Sequence, residues 1–222
     1  MIIKIFLLFI NLTFAKVNIA VVDNFETQHG EQVSSIISKK SKNSLITQFH
    51  VDFKDFSKYL NILKEISNKS FDILNLSHGQ VDYSLEESIL LQKIAQNGTI
   101  IVVASGNDNS RIDKKNTIYP CQLKIKNLFC IGSSENMTKS SLSNFGPSVS
   151  FFISGQFYGK NVSSFAAPNF SALISHFLDK DIDLFLKSLS FQTMYRNESI
   201  FLVDFDKIIE LIRFEKKFKK QL

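Results

Sequence analysis

Near-continuous apolar runs recur along the chain: VNIAVV (17–22), SLITQFHV (44–51), FDILNL (71–76), TIIVVA (99–104) and LFCIG (128–132). Their length and β-branched content predict strands buried on both faces, as in a parallel sheet. Between them the apolar spacing changes to a helical one. Val33, Ile36 and Ile37 form one stripe, Phe56, Tyr59, Leu60 and Leu63 a second, and Leu85, Ile89, Leu90 and Ile94 a third. The alternation predicts an α/β domain: a doubly wound, mostly parallel sheet with helices on both faces. Past residue 132 the pattern loosens over SSENMTKSSLSNFGPSVSFFISG. It resumes as a helix bearing Phe170, Leu173, Ile174 and Phe177, and ends in one bearing Phe205, Ile208, Ile209 and Ile212, capped by Asp204 or Asp206.

Composition narrows this picture. A chain of 222 residues, 44% apolar, is sized for one domain with a full core. Twenty-two Phe and no Trp make apolar periodicity a blunter guide than usual. The net charge is +5, but the lysines are scattered, and the one basic run, RFEKKFKKQL, reads as a solvated helix end. No nucleic-acid partner is expected. The first residues, MIIKIFLLFINLTFA, have one Lys, a short apolar stretch and small residues before a cut, the layout of a secretory signal. That stretch is far short of the ~20 residues that span a bilayer, so no stable membrane span is expected after its removal. The expected organisation is a signal peptide over 1–15 and one domain over 16–222, with a core over 17–178 and a helical part over 179–222. Export, to the periplasm or outside the cell, follows.

Cys121 and Cys130 flank QLKIKNLF. In an oxidising compartment they can close a small loop; the alternative is that Cys130 is a buried core thiol. Two cysteines are too few for a zinc site. No metal ligand set and no cofactor is expected, and the sequence identifies no site for a structural calcium.

In doubly wound sheets, ligands bind beyond the carboxyl ends of the strands. Four polar residues stand at such places or at helix starts: Asp23, His29, Asn107 and Ser164. A serine hydroxyl needs a base to become a nucleophile. An imidazole can take its proton, and a carboxylate on the other ring nitrogen fixes the tautomer. An amide can donate to an oxyanion. Each residue also has a plainer reading: turn carboxylate, helix-start histidine, turn asparagine, N-cap serine.

Taken in order, these residues and their neighbours resemble the subtilisin-like serine proteases. VNIAVVD looks like the strand of the catalytic Asp, HGEQVSSII like the HGTHVAG helix, and IIVVASGNDN like the segment of the oxyanion Asn. DILNLSHG resembles the strand that binds substrate backbone, and VSSFAAP lies on GTSMAAP. The resemblance runs from about Val17 to Leu178. It implies peptide-bond hydrolysis of a polypeptide substrate, with Ser164 as nucleophile, His29 as base, Asp23 orienting it and Asn107 holding the oxyanion. It implies that substrate adds as a strand along Ser77, His78 and Gly79, with Ala104, Ser105 and Gly106 on the opposite side of the specificity pocket.

The sequence departs from the family pattern at Val162, where a glycine is usual, at Asn169, where a histidine is common, and at His78, where an apolar residue is usual. The Asp–His loop is also very short. Two further readings therefore stand beside the peptidase: a catalytically impaired pseudoprotease serving as a peptide-binding or interaction module, and an unrelated doubly wound enzyme.

Overall fold

The computed structural model describes residues 16–41, 43–178 and 181–219. The expected signal peptide, 1–15, lies outside the described residues. The chain runs β1 (Val17–Asp23), α1 (Gln28–Lys40), β2 (Ser44–His50), α2 (Phe56–Ile66), β3 (Ile73–Leu76), α3 (Leu85–Gln96), β4 (Ile100–Ala104) and β5 (Leu128–Glu135). It continues through the short strands β6 (Thr138–Lys139), β7 (Phe151–Ser154), β8 (Gln156–Phe157) and β9 (Lys160–Asn161) to α4 (Ser163–Ile174). Last come α5 (Ile182–Leu189), β10 (Phe191–Tyr195), β11 (Glu198–Val203) and α6 (Phe205–Lys219).

The main sheet has the order β10-β11-β7-β5-β4-β3-β1-β2. Pairing is parallel from β2 through to β11, and β10 and β6 add antiparallel strands. Alternation along the strands builds two cores. Ile19 and Val21 of β1 face a cluster with α1, α4 and α6, whereas Ala20 and Val22 face one with α2 and α3. The predicted doubly wound α/β architecture is therefore observed.

Three local expectations change. The run 44–51 is not buried on both faces: β2 is the edge strand, and Leu45 is 51% exposed. Ile46 packs on the α1/α4 side of the sheet and Phe49 on the α2/α3 side, but neither face is covered along the whole strand. Helix α3 turns a different face inward than the Leu85–Ile89–Leu90–Ile94 stripe suggests. Leu85 and Ile89 are exposed, and Glu87, Leu91, Ile94 and Ala95 are buried. Glu87 can be buried because the Tyr59 hydroxyl donates to it (2.9 Å) and Gln80 Nε2 adds a weaker bond (3.3 Å). The C-terminal part is not purely helical either. The β10–β11 hairpin extends the main sheet, with Leu202 opposite Phe152 of β7.

Helix α4 is the central element. Of its twelve residues, only Ser164 is not buried. Pro168 falls within this helix and is tolerated there, close to its first turn. Cys121 and Cys130 are bridged, which settles the sequence alternative and ties the chain before β5 to the strand itself.

Candidate active site

Asp23 ends β1 and is 2% exposed. Its Oδ1 lies 2.9 Å from His29 Nδ1 and accepts the Asn24 N–H at 2.7 Å. Six residue steps suffice because the loop folds tightly back. Thr27 caps α1 by accepting the His29 N–H (3.3 Å), and the Gly30 N–H reaches the Asn24 carbonyl (3.3 Å). A methyl at Gly30 would meet that carbonyl oxygen and the Phe25 ring, both at 2.9 Å, so only glycine fits after His29. His50 of β2 accepts the Phe25 N–H (3.1 Å) and holds the loop from the other side.

The His29 ring stacks on Phe165, with centroids 5.5 Å apart and planes 21° from parallel. Phe165 is the residue after Ser164, so the stack sets the imidazole beside the start of α4. No hydrogen bond joins the Ser164 hydroxyl to His29 among the described residues; such bonds commonly tighten only once substrate is bound.

Asn107 comes to the same helix start. Its Oδ1 accepts the Ser163 N–H at 2.8 Å. A second bond runs the other way, from the Gly106 N–H to Ser163 Oγ at 3.0 Å. Ser163, 0% exposed, thus stitches the β4 loop to α4. Val162 is the N-cap, in extended conformation (φ −134°), where a β-branched residue is unstrained. Its side chain packs against the core on the α1/α4 side.

β3 and β4 pair as far as Leu76 and Val103. Among the described residues no backbone hydrogen bond joins Ser77, His78 or Gly79 to a neighbouring segment, so this backbone can still take a strand. The Ser77 hydroxyl accepts from Asn75 Nδ2 at 2.9 Å. Ser105 is 0% exposed, with its hydroxyl 3.5 Å from that of Ser143. His78 is not a solvent-facing loop residue. Its ring lies against Phe53 (4.0 Å) and edge-on to Tyr59 (5.0 Å), and its Nδ1 is buried without a partner. Burial pushes its pKa down to about 3, so the ring is neutral. Among the described residues no group of His, Cys, Asp or Glu is arranged to hold a metal ion.

A model of the subtilase family, peptidase S8, matches residues 15–184, well over half the chain. The chain is a subtilase. No curated protein matches its sequence. Among solved structures, a cold-adapted subtilisin-like serine proteinase is 20% identical (TM-score 0.69), with 86% of this chain and 89% of that one covered. A lanthipeptide protease is 15% identical (0.68; 88% and 87%), and proteases from Pseudoalteromonas arctica are 14% identical (0.70; 90% and 91%). At such identities these likenesses speak to the fold, and they agree with the doubly wound sheet.

Several residues that support the subtilase site escape sequence reasoning. Asn144 organises the loop after β4: its amide donates to the Ser105 carbonyl (2.9 Å), and its Oδ1 accepts from the Asp108 and Ser110 N–H groups (2.9 and 3.0 Å). Gly106 has φ +90°, and a methyl there would stand 2.5 Å from Asn144 Nδ2. Lys139, 8% exposed, donates to Asn109 Oδ1 (3.0 Å) and to the carbonyls of Ser140 and Ser143 (both 2.7 Å). Burial, and then the nearby Arg196 charge, push its amine down to about 8. The SLSN stretch, with its closely spaced serines and asparagine, was the available signal for this cluster.

Proposed function

We propose that this subtilase is a serine endopeptidase working through an acyl-enzyme. Ser164 Oγ attacks the scissile carbonyl carbon while His29 Nε2 takes the hydroxyl proton. Asp23 accepts the Nδ1–H bond and so fixes that tautomer. The oxyanion takes bonds from Asn107 Nδ2 and the Ser164 N–H. The carbon–nitrogen bond breaks as His29 returns the proton to the leaving amine, and water then releases the acyl group by the same steps in reverse order of partners. The observation that carries this reading is the Asp23–His29 pair at 2.9 Å, stacked on the residue next to the one unburied position of α4.

A fluorophosphonate probe tests it. Wild type labels at one site, and Ser164→Ala abolishes the label without unfolding the protein. A folded, mature protein that never labels would overturn the proposal and leave a peptide-binding module. We further propose that the protein works outside the cytosol, supported by the Cys121–Cys130 bridge and the signal-like first residues. A secreted or periplasmic form beginning at Lys16 is the expected product, read by N-terminal sequencing.

A further inference from the structure

Past Leu76 and Val103, β3 and β4 no longer pair with each other, and the segments that follow, each paired elsewhere, are the walls of a slot for a substrate side chain in the peptidase reading. Gln80 exchanges both backbone hydrogen bonds with Tyr119 (2.8 and 2.7 Å), and the Ser105 N–H donates to Ile131 of β5 (3.0 Å). The occupant of the gap decides which substrate side chain fits. A methyl built on Gly79 would stand 3.0 Å from Ile118 Cγ2, 3.4 Å from the Tyr119 carbonyl oxygen and 3.8 Å from the carbonyl oxygen of Ala104 on the far wall. Ile118 therefore lies directly against Gly79, on a side where the Ala104 carbonyl is also near.

Ile118 is also firmly held. Its N–H donates to Gln122 Oε1 (2.9 Å), and its carbonyl accepts the Gln122 N–H (3.0 Å). Three residues on, Cys121 is covalently tied to Cys130 of β5. The side chain packs against the core on the α2/α3 side. Branching at Cβ restricts its rotamers, so it cannot fold aside as a methionine would.

We propose that Ile118 is a specificity-determining residue: it floors the slot and limits cleavage to bonds that follow small side chains, glycine, alanine or serine. This rests on the peptidase reading above. A leucine or phenylalanine in the slot would overlap the Ile118 methyls, and neither wall can yield without breaking the Gln80–Tyr119 or Ser105–Ile131 pairing. One methylene in an apolar pocket typically changes selectivity by about 10–200-fold, so a benzyl group against a floor formed by Ile118 should be disfavoured by at least ~10²-fold.

The test is a matched series of tetrapeptide p-nitroanilides that differ only in the last residue: Gly, Ala, Leu or Phe. Wild type should have kcat/KM for Ala at least ~10²-fold above Phe. Ile118→Gly should raise the Phe/Ala and Leu/Ala ratios of kcat/KM by about that factor. Ile118→Ala, which disturbs the fold less, should raise Leu by ~10-fold. Wild type that prefers Phe, or folded variants with an unchanged Phe/Ala ratio, would overturn the assignment. Binding separates this from a failure of the catalytic reading. Acetylated tetrapeptides ending in Ala or Phe, titrated into Ser164→Ala, need no turnover. The Ala peptide should bind tighter, and Ile118→Gly in that background should reverse the order. Tighter binding of the Phe peptide without the Ile118 change refutes the proposal even if fluorophosphonate labelling has already failed.

Discussion

Acid should destabilise this protein through His78 in particular. The ring is pushed from 6.5 to about 3 by burial, so between those values the unfolded chain binds a proton that the folded one refuses. Stability therefore rises with pH across this window and is lost as pH falls below about 6.5. Each pH unit in the window is worth about 1.4 kcal/mol, and going from pH 7 to pH 4.5 removes about 2.5 kcal/mol. Water at the partly exposed rim lowers that figure, which is an upper value. Glu87 works the other way: burial raises its pKa above 4.5, so the folded state holds a proton longer and gains stability as pH falls through that range. Its contribution is common to parent and variant, and subtraction removes it. The assay is urea unfolding of Ser164→Ala, which cannot digest itself, at pH 7 and 4.5, with and without His78→Leu. The His78→Leu form should lose about 1–2.5 kcal/mol less than its parent between the two pH values. Equal losses, or an imidazole that titrates near 6.5 by NMR, would refute the reasoning.

Under the proposed mechanism, Asn107→Ala should lower kcat by about 10²–10³ with little change in KM, because the donor it removes would act on charge that develops only in the transition state. Lys139→Met should cost about 2–4 kcal/mol in chemical denaturation, since it leaves the buried carbonyls of Ser140 and Ser143 without their donor. In the parent, stability should also rise from about pH 8 toward 10.5, where the unfolded chain keeps the lysine proton that the folded one releases; Lys139→Met should flatten that rise. Replacing both Cys121 and Cys130 by serine should cost about 2–3 kcal/mol, as expected for a loop closed over a separation of 9 residues. Non-reducing mass spectrometry should find one linked peptide and no free thiol.

Strands β1, β3, β4 and β5 were legible because central parallel strands bury both faces and leave unbroken apolar runs. Edge strand β2 carries a similar run, and nothing local marks it as an edge. The inward face of α3 was misread because Glu87 owes its burial to Tyr59 and Gln80, partners outside its own helix. Asp23, His29, Asn107 and Ser164 were legible by their order and by their places at strand ends and helix starts. The structure puts Asp23 beside His29 and Asn107 against the start of α4, and the catalytic roles stand as proposals. Ser163, Asn144, Lys139 and Ile118 were not legible in these roles. Ser163, Asn144 and Ile118 act through contacts tens of residues away, such as Ser163 with Gly106, and the SLSN stretch was the one local hint of the cluster around Asn144 and Lys139.

Helix α4 ties Ser164 to the cooperativity of the whole fold. An element enclosed along all but one residue has no cheap local opening, so its amides should exchange with solvent only by global unfolding. Ser164 would then keep its place until the domain as a whole gives way. Heat inactivation and loss of structure should follow one curve rather than two, and activity would serve as a direct readout of the folded fraction.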